Sequence, residues 1–441
     1  MILRWQEDNL RRTLSVRRAV HLTGARQCGK STLASFVAGQ EMRHLTLDDA
    51  AYLKAAHDDP WTFVDRPDGK TLVIDEIQKE PELLNAIKMR VDRSQERGQY
   101  LITGSSNLHF VKAVTDSLAG RLGRIRLRPL CLGELMSGKG DFLRRAFVRD
   151  FASPGERLDK RDVLHCAFRG GYPEMLELDA RSRRDWCHEY LNDLLTKDVQ
   201  DVTEIRKVEA LKKVLDWLLA YSSKFFDVKE LGTVAHLSRE TTENYLTALK
   251  ALYLVDGLLP WAGSDYAKLG KRTKHFVADS GLLANALEWD EDAAYYDDDK
   301  CGKLVETWVH NELACLADRE GGMNLSQYRD SDKREIDFIV QNSEGAMLGI
   351  EVKSGTVSPE DFKHLRWFAA NLAKTSFTGI VLYSGKDVLS FGEGFYAVPL
   401  ASQSMQPSKH ENKLILRYCG LTKDELTLGA WRLYSVISQM T

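Results

Sequence analysis

GARQCGKS, Gly24–Ser31, decides the fold of the first part of this chain. A short apolar run, Ala19–Thr23, leads into it, and a helical pattern, STLASFVAG, starts at Ser31. Strand, glycine-rich loop and helix in that order form a phosphate cradle, because Gly24 and Gly29 let backbone N–H groups turn inward above a helix N-terminus. Lys30 adds a cation for the terminal phosphates and Ser31 a hydroxyl for magnesium, the spacing GxxxxGK[ST]. The main chain of Ala25, Arg26, Gln27 and Cys28 completes the loop, and Thr32 follows the hydroxyl. ATP with Mg2+ is the expected ligand.

Outward from the loop, TLVIDEIQ, Thr71–Gln78, reads as a buried parallel strand with two carboxylates at its C-terminal end. Asp75 is expected to hold the metal through water and Glu76 to polarise the attacking water. A further strand, YLITGSSN, ends in Ser105, Ser106 and Asn107, which either sense the terminal phosphate or serve a turn. In SLAGRLGRIRLRPL, Arg121 and Arg124 read either as surface ion pairs or as arginine fingers. A finger at Arg121 would imply a homo-oligomer. Cys28 is either an oxidation-sensitive thiol or a small packed residue.

The 441 residues suggest roughly three units. With 43% hydrophobic and 28% charged residues the chain can bury cores, and a net charge of -3 confines any nucleic-acid contact to a local patch. Seven cysteines without a Cys-x-x-Cys pair argue against a disulfide framework or a zinc site and fit a reducing cytoplasm. The start reaches charges too soon for an export signal, and no apolar run of about 18 residues predicts membrane insertion.

From Gly138 to Asp162 the pattern is charged and irregular and predicts a linker or exposed insertion. FDVKELGTVAHLSRETTENYLTALKALYLVDGLLPW reads helix, turn, helix, then a hairpin, a winged-helix pattern. Its second helix would offer Arg239, Thr242 and Asn244 to a major groove, while Glu240 and Glu243 oppose that and favour a scaffold.

In the last third, GKLVETWVHNELACLA, KREIDFIV and LGIEVKSG place Glu306, Asp337, Glu351 and Lys353 in the order of a PD-(D/E)xK nuclease. Glu351 and Lys353 share one face of a strand, and the turn QNSEGA forms a hairpin that sets Asp337 beside them. Asp337 and Glu351 would coordinate magnesium, Glu306 would complete the shell, and Lys353 would orient the attacking water. The run KLGKRTKHF, Lys268–Phe276, reads either as a track for a phosphate backbone or as a solvated loop. The acidic run Glu288–Lys300 predicts a solvated loop.

GARQCGKSTL, LTLDDAAYLKAAHDDPWTFV, VIDEIQKEPELLNAIKMRVD, YLITGSSN and SLAGRLGRIRLRPLCLGEL together resemble the prokaryotic AAA-type P-loop ATPases that carry a C-terminal DUF4143 region. RGGYPEML, VADSGLL, LVETWVHNEL, KREIDFIV and IEVKS resemble that region in order over about residues 168 to 400. The resemblance implies an α/β protein: an ATPase domain over 1–137, a helical and winged-helix region over 138–260, a restriction-endonuclease-like domain over 261–400 and an unassigned extension over 401–441. The implied activity is ATP hydrolysis coupled to a nuclease-like domain acting on nucleic acid, DNA ahead of RNA. The alternative is an ATP-dependent regulatory protein whose last domain is a non-cleaving platform.

Overall fold

The apolar runs of the first unit become the strands of one parallel sheet. The computed structural model describes residues 2–39, 42–105, 120–151, 158–199, 208–263 and 272–403. Ser106, Asn107, Lys268, Lys271 and residues 404–441 of the extension lie outside the described residues. The first elements are α1 (Gln6–Val16), β1 (Ala19–Gly24), α2 (Lys30–Ala38), β2 (Arg43–Thr46), α3 (Ala50–Asp58), β3 (Leu72–Asp75), α4 (Leu83–Arg93), β4 (Tyr100–Gly104) and β5 (Leu122–Leu127). Strand order is β2-β3-β4-β1-β5, all neighbours parallel. The strand that feeds the phosphate loop is therefore separated from the acidic strand by β4. All six residues of β1 are buried, as a strand covered on both faces requires.

The middle unit follows with α5 (Phe142–Phe147), α6 (Lys160–Arg169), α7 (Ala180–Asp193), which runs on into a π-helical turn Leu194–Asp198, then α8 (Val208–Ala220), α9 (Val228–Ala235) and α10 (Arg239–Ala251). An antiparallel pair, β6 (Val255–Leu258) and β7 (Lys274–Val277), comes next, then α11 (Ser280–Ala286) and α12 (Glu291–Tyr296). This pair crosses the expected boundary at residue 260, so the hairpin ties the second unit to the third.

The stretch expected to be a linker instead contains α5, because Phe142, Leu143 and Ala146 form an apolar face that buries in the core. The acidic run is solvated, with Glu288, Asp290, Asp292, Asp298 and Asp299 exposed, but it is helical rather than a loop. Asp290 caps α12, Asp297 caps the next helix, and Arg161, His165, His188 and Lys224 pair with Asp292, Glu291, Glu288 and Asp299. Carboxylates that repel one another in isolation are offset by Arg161 and Lys224, hydrogen-bonded to His165 and His188, and favoured at helix N-termini.

The third unit begins with a 23-residue helix, α13 (Asp298–Glu320). A six-stranded sheet follows, built from β8 (Asn324–Arg329), β9 (Glu335–Gln341), β10 (Met347–Lys353), β11 (Phe377–Tyr383), β12 (Leu389–Ser390) and β13 (Phe395–Pro399), in the order β12-β13-β11-β10-β9-β8. A helix, Lys363–Asn371, connects β10 to the parallel strand β11. The expected hairpin between β9 and β10 is present, pairing Gln341 with Met347. One apolar cluster runs from Leu10 and Val20 through Leu164 and Leu215 to Phe338 and Val398, so the three units share a core.

Candidate functional site: the phosphate loop and a buried carboxylate cluster

Gly24 must be glycine because a Cβ there would lie 2.0 Å from the carbonyl oxygen of Leu127 on β5. Gln27 and Gly29 take positive φ of 61° and 99°, which curls the loop. Three of its carbonyls are taken from behind: Lys30 Nζ donates to Ala25 O at 2.8 Å, Tyr190 Oη to Arg26 O at 3.2 Å, and Arg4 Nη1 to Cys28 O at 2.8 Å. With those acceptors engaged, the donors of the loop are what an anion meets, and the residues fit a phosphate chain. Cys28 is buried with Sγ against Leu127 O at 3.4 Å, the packed alternative for that thiol.

At the end of β3, Asp75 accepts a hydrogen bond from Thr103 of β4, and the backbone N–H of Glu76 donates to the same Thr103 hydroxyl at 3.2 Å. Glu76 stands in the left-handed region at φ 60°, which turns its carboxylate out of the strand line. Gln78 donates one amide nitrogen to Glu76 and to Ser105 Oγ, the latter at 3.0 Å. Burial raises the Glu76 carboxyl above its usual range, while Lys30 and Gln78 pull it down and Asp75 adds to the rise. Arg121 is bonded to Asp92 on the surface.

Sequence reasoning missed Thr103, Gln78, Arg4 and Tyr253. Gln78 packs against Gly104, where a Cβ would come 2.9 Å from Gln78 Oε1. Tyr253, which shares a hydrogen bond with Thr23 of β1, had no signal in the sequence, because 230 residues separate them.

Residues 16–136 match the AAA domain model. The nucleotide-type site just described lies within that stretch, and the first unit is a P-loop ATPase-like domain on a parallel α/β sheet. A second model, a domain of unknown function called DUF8612, matches residues 160–293, and DUF4143, also a domain of unknown function, matches 301–402. RGGYPEML and VADSGLL therefore fall in the DUF8612 match rather than in DUF4143. Two uncharacterized proteins, from Mycobacterium tuberculosis and Mycobacterium bovis, are each 27% identical over 88% of this chain and 82% of their own. A Walker-type ATPase of Pyrococcus abyssi aligns at 15% identity and TM-score 0.36, covering 65% of this chain and 95% of its own.

The AAA-type unit is clamped to the middle unit. Arg26 of the loop donates to both carboxylate oxygens of Asp198, each at 3.1 Å, at the end of the π-helical turn. From β5, Arg126 and Arg128 reach Asp256 of β6 at 2.8 and 2.5 Å. On α10, Thr242 is fully buried and Arg239 is held by Glu243 at 2.8 Å, so Thr242 is no groove-reading residue. Its hydroxyl donates to Ser238 O at 2.8 Å, which makes it part of the helix packing.

In the third unit Glu306 of α13, Asp337 of β9 and Glu351 of β10 converge as their spacing predicts. Asp337 Oδ2 accepts from the Val352 backbone at 3.0 Å. Burial drives the Glu306 carboxyl up to about 7, against the pull of Lys274, with Asp337 adding to the rise. Burial and the neighbouring Asp337 hold Glu351 well above the usual carboxylate range. Lys353 pairs with Asp361 at 3.5 Å and its charge pulls the Glu351 carboxyl down.

The centre of the cluster belongs to Lys274, which lies 2.5 Å from Glu306, 3.0 Å from Glu335 and 3.2 Å from Asp337. Its side chain is only 2% exposed, so it does not track a phosphate backbone. Among the described residues no group of three or more His, Cys, Asp or Glu side chains is arranged to hold a metal ion. At this second cluster the carboxylates are already engaged by an ammonium.

Proposed function

We propose that this chain is a magnesium-dependent ATP hydrolase that works as a switch, passing its nucleotide state through the helical middle unit to the third unit. The observation that carries the reading is the placement of Lys30 and Glu76: the ammonium sits in the loop, close enough to offset part of the rise that burial imposes on the Glu76 carboxyl. Lys30 would neutralise the terminal phosphates, Glu76 would orient the attacking water, Ser31 and Asp75 would hold the cation, and Ser105 would report on the last phosphate. Magnesium when bound would supply charge for the leaving phosphates.

Two supports favour coupling rather than an isolated ATPase. Arg26 joins the phosphate loop to Asp198, and Thr23 joins the loop's strand to Tyr253, just before β6. The reading includes a nucleic-acid partner, DNA ahead of RNA. It is supported by a cavity of about 430 Å³ in the third unit, bordered by Arg272, Arg329, Lys333 and the ring of Phe225. It also includes homo-oligomers in which Arg121 leaves Asp92 to reach a neighbour's phosphates. A cytoplasmic setting is supported by the six cysteines among the described residues, all free and buried. No helix among the described residues is long and apolar enough to cross a membrane.

ATP turnover by the full chain tests the reading. Lys30→Ala and Glu76→Gln should each lose turnover, Glu76→Gln while still binding ATP. Turnover per molecule should rise with protein concentration, and Arg121→Ala should remove that rise. Equal turnover in wild type and Lys30→Ala would end the claim.

A further inference from the structure

Three carboxylates contact one buried cation in the third unit, and a fourth, Glu351, lies beside one of them, Asp337. Glu306 comes from α13, Glu335 and Asp337 from β9, and Glu351 from β10. Lys274 reaches the cluster from β7, a strand outside that sheet, all of whose residues are buried. Phe225 and Phe276 lie 5.4 and 5.8 Å from the ammonium and wall it in.

We propose that the Lys274 ammonium is the resident cation of this cluster, standing where a divalent ion would have to stand, so that the third unit in this form takes up no divalent ion and cuts no phosphodiester. Three observations carry it. The first is distance: an ammonium 2.5 to 3.2 Å from three carboxylates occupies the point where their oxygens converge. A magnesium ion needs those oxygens at about 2.1 Å with room for water, which leaves no place for an ammonium among them.

The second is burial. Moving Lys274 aside would strand a desolvated charge, a change that water does not compensate inside a wall of phenyl rings. The third is the place of Lys353, the other cation of the strand pattern, which pairs with Asp361 and acts on Glu351 as a neighbouring charge, while Lys274 sits among the carboxylate oxygens. The inserted lysine is also fixed at its other end. β6, its hairpin partner, is pinned to the AAA-type unit through Asp256, so Lys274 belongs to a strand clamped between units.

The inference does not depend on ATP hydrolysis, and its test is run without nucleotide, so a failed ATPase reading leaves it standing. Mn2+ bound by the full chain is counted by electron paramagnetic resonance in wild type, Asp337→Asn and Lys274→Met, each checked for folding by circular dichroism. Wild type and Asp337→Asn should bind the same number of ions, and neither should nick plasmid in Mg2+ or Mn2+. Lys274→Met should gain one ion, and its lowered melting temperature in EDTA should recover in Mn2+; adding Asp337→Asn should abolish both effects.

One bound Mn2+ lost from wild type on Asp337→Asn, or nicking by wild type that Asp337→Asn abolishes, overturns the proposal. So does a folded Lys274→Met that gains no ion. If Lys274→Met does not fold, the comparison of wild type with Asp337→Asn still decides.

Discussion

Arg26 of the phosphate loop grips Asp198 of the middle unit through both carboxylate oxygens at 3.1 Å. The carboxylate would compete with a nucleotide phosphate that called on the same guanidinium, and it sits at the end of a π-helical turn, a helix form that concentrates at functional positions. Asp198→Asn should therefore tighten ATP binding, by up to about fivefold if the half-exposed pair is worth about 1 kcal/mol. Calorimetric titration of ATP into both proteins measures it. Weaker binding by Asp198→Asn would show that the pair supports the bound state instead.

Ion pairs made by β5 and its flanking residues should cost unequal amounts when cut. Asp256 neutralises Arg126 and Arg128 at the junction with β6, where Arg128 is further held by Asp318 at 2.6 Å. Asp256→Ala leaves two guanidinium groups short of their shared partner and should cost about 3 kcal/mol or more. Arg121→Ala breaks a pair whose members are each 36% exposed and should cost less than about 1 kcal/mol. Urea unfolding of both variants gives the comparison, and equal losses would contradict it.

The AAA-type unit was legible because its chemistry is local. Loop, strand and helix lie within twenty residues, and the acidic strand announces itself by three apolar residues before two acids. The hairpin that brings Asp337 to Glu351 was legible for the same reason. Lys274 was not, since a basic residue in the run KLGKRTKHF carries no mark of burial. Its position depends on carboxylates 32 to 63 residues later in the chain, which only the tertiary fold brings together. The acidic run failed as a loop because Asp290 and Asp297 within it cap helices and its cationic partners lie far away in the chain, neither of which its composition marks.

Glycines at two positions should respond in opposite senses to alanine. Gly171, where Leu130 and the middle unit exchange a backbone hydrogen bond of 2.7 Å, would put a Cβ 1.9 Å from Leu130 O. Gly171→Ala should therefore cost roughly 2 kcal/mol or more, because the obstacle is backbone. Gly302 lies inside α13 with nothing within 4 Å of a built Cβ. Gly302→Ala should stabilise by about 0.5–1 kcal/mol through helix propensity. Melting temperatures that moved in the same direction would refute the contrast.

His310 should make the protein acid-sensitive. Its ring stacks on Phe276 with centroids 4.3 Å apart, and burial pushes its pKa down to about 3, with Asp256 opposing and Arg128, Arg126 and Lys274 assisting. The folded histidine stays neutral while the unfolded one takes a proton below about 6.5. The stability it contributes is therefore complete above pH 6.5 and is lost as pH falls toward 3, at about 1.4 kcal/mol per pH unit. Asp256 does not titrate in this window, because Arg126 and Arg128 hold its carboxyl far below the usual range against burial. Asp279, raised by burial to about 6, acts in the opposite sense, contributing stability below about pH 4 that is lost as pH rises through 6. That contribution is common to wild type and a His310 variant and cancels in their difference. His310→Phe keeps an aromatic ring over Phe276 and removes the proton, so its stability should fall less steeply than that of wild type between pH 6.5 and 4.5. Urea unfolding at three pH values in that range measures both slopes, and parallel slopes would mean that His310 is not held neutral by the fold.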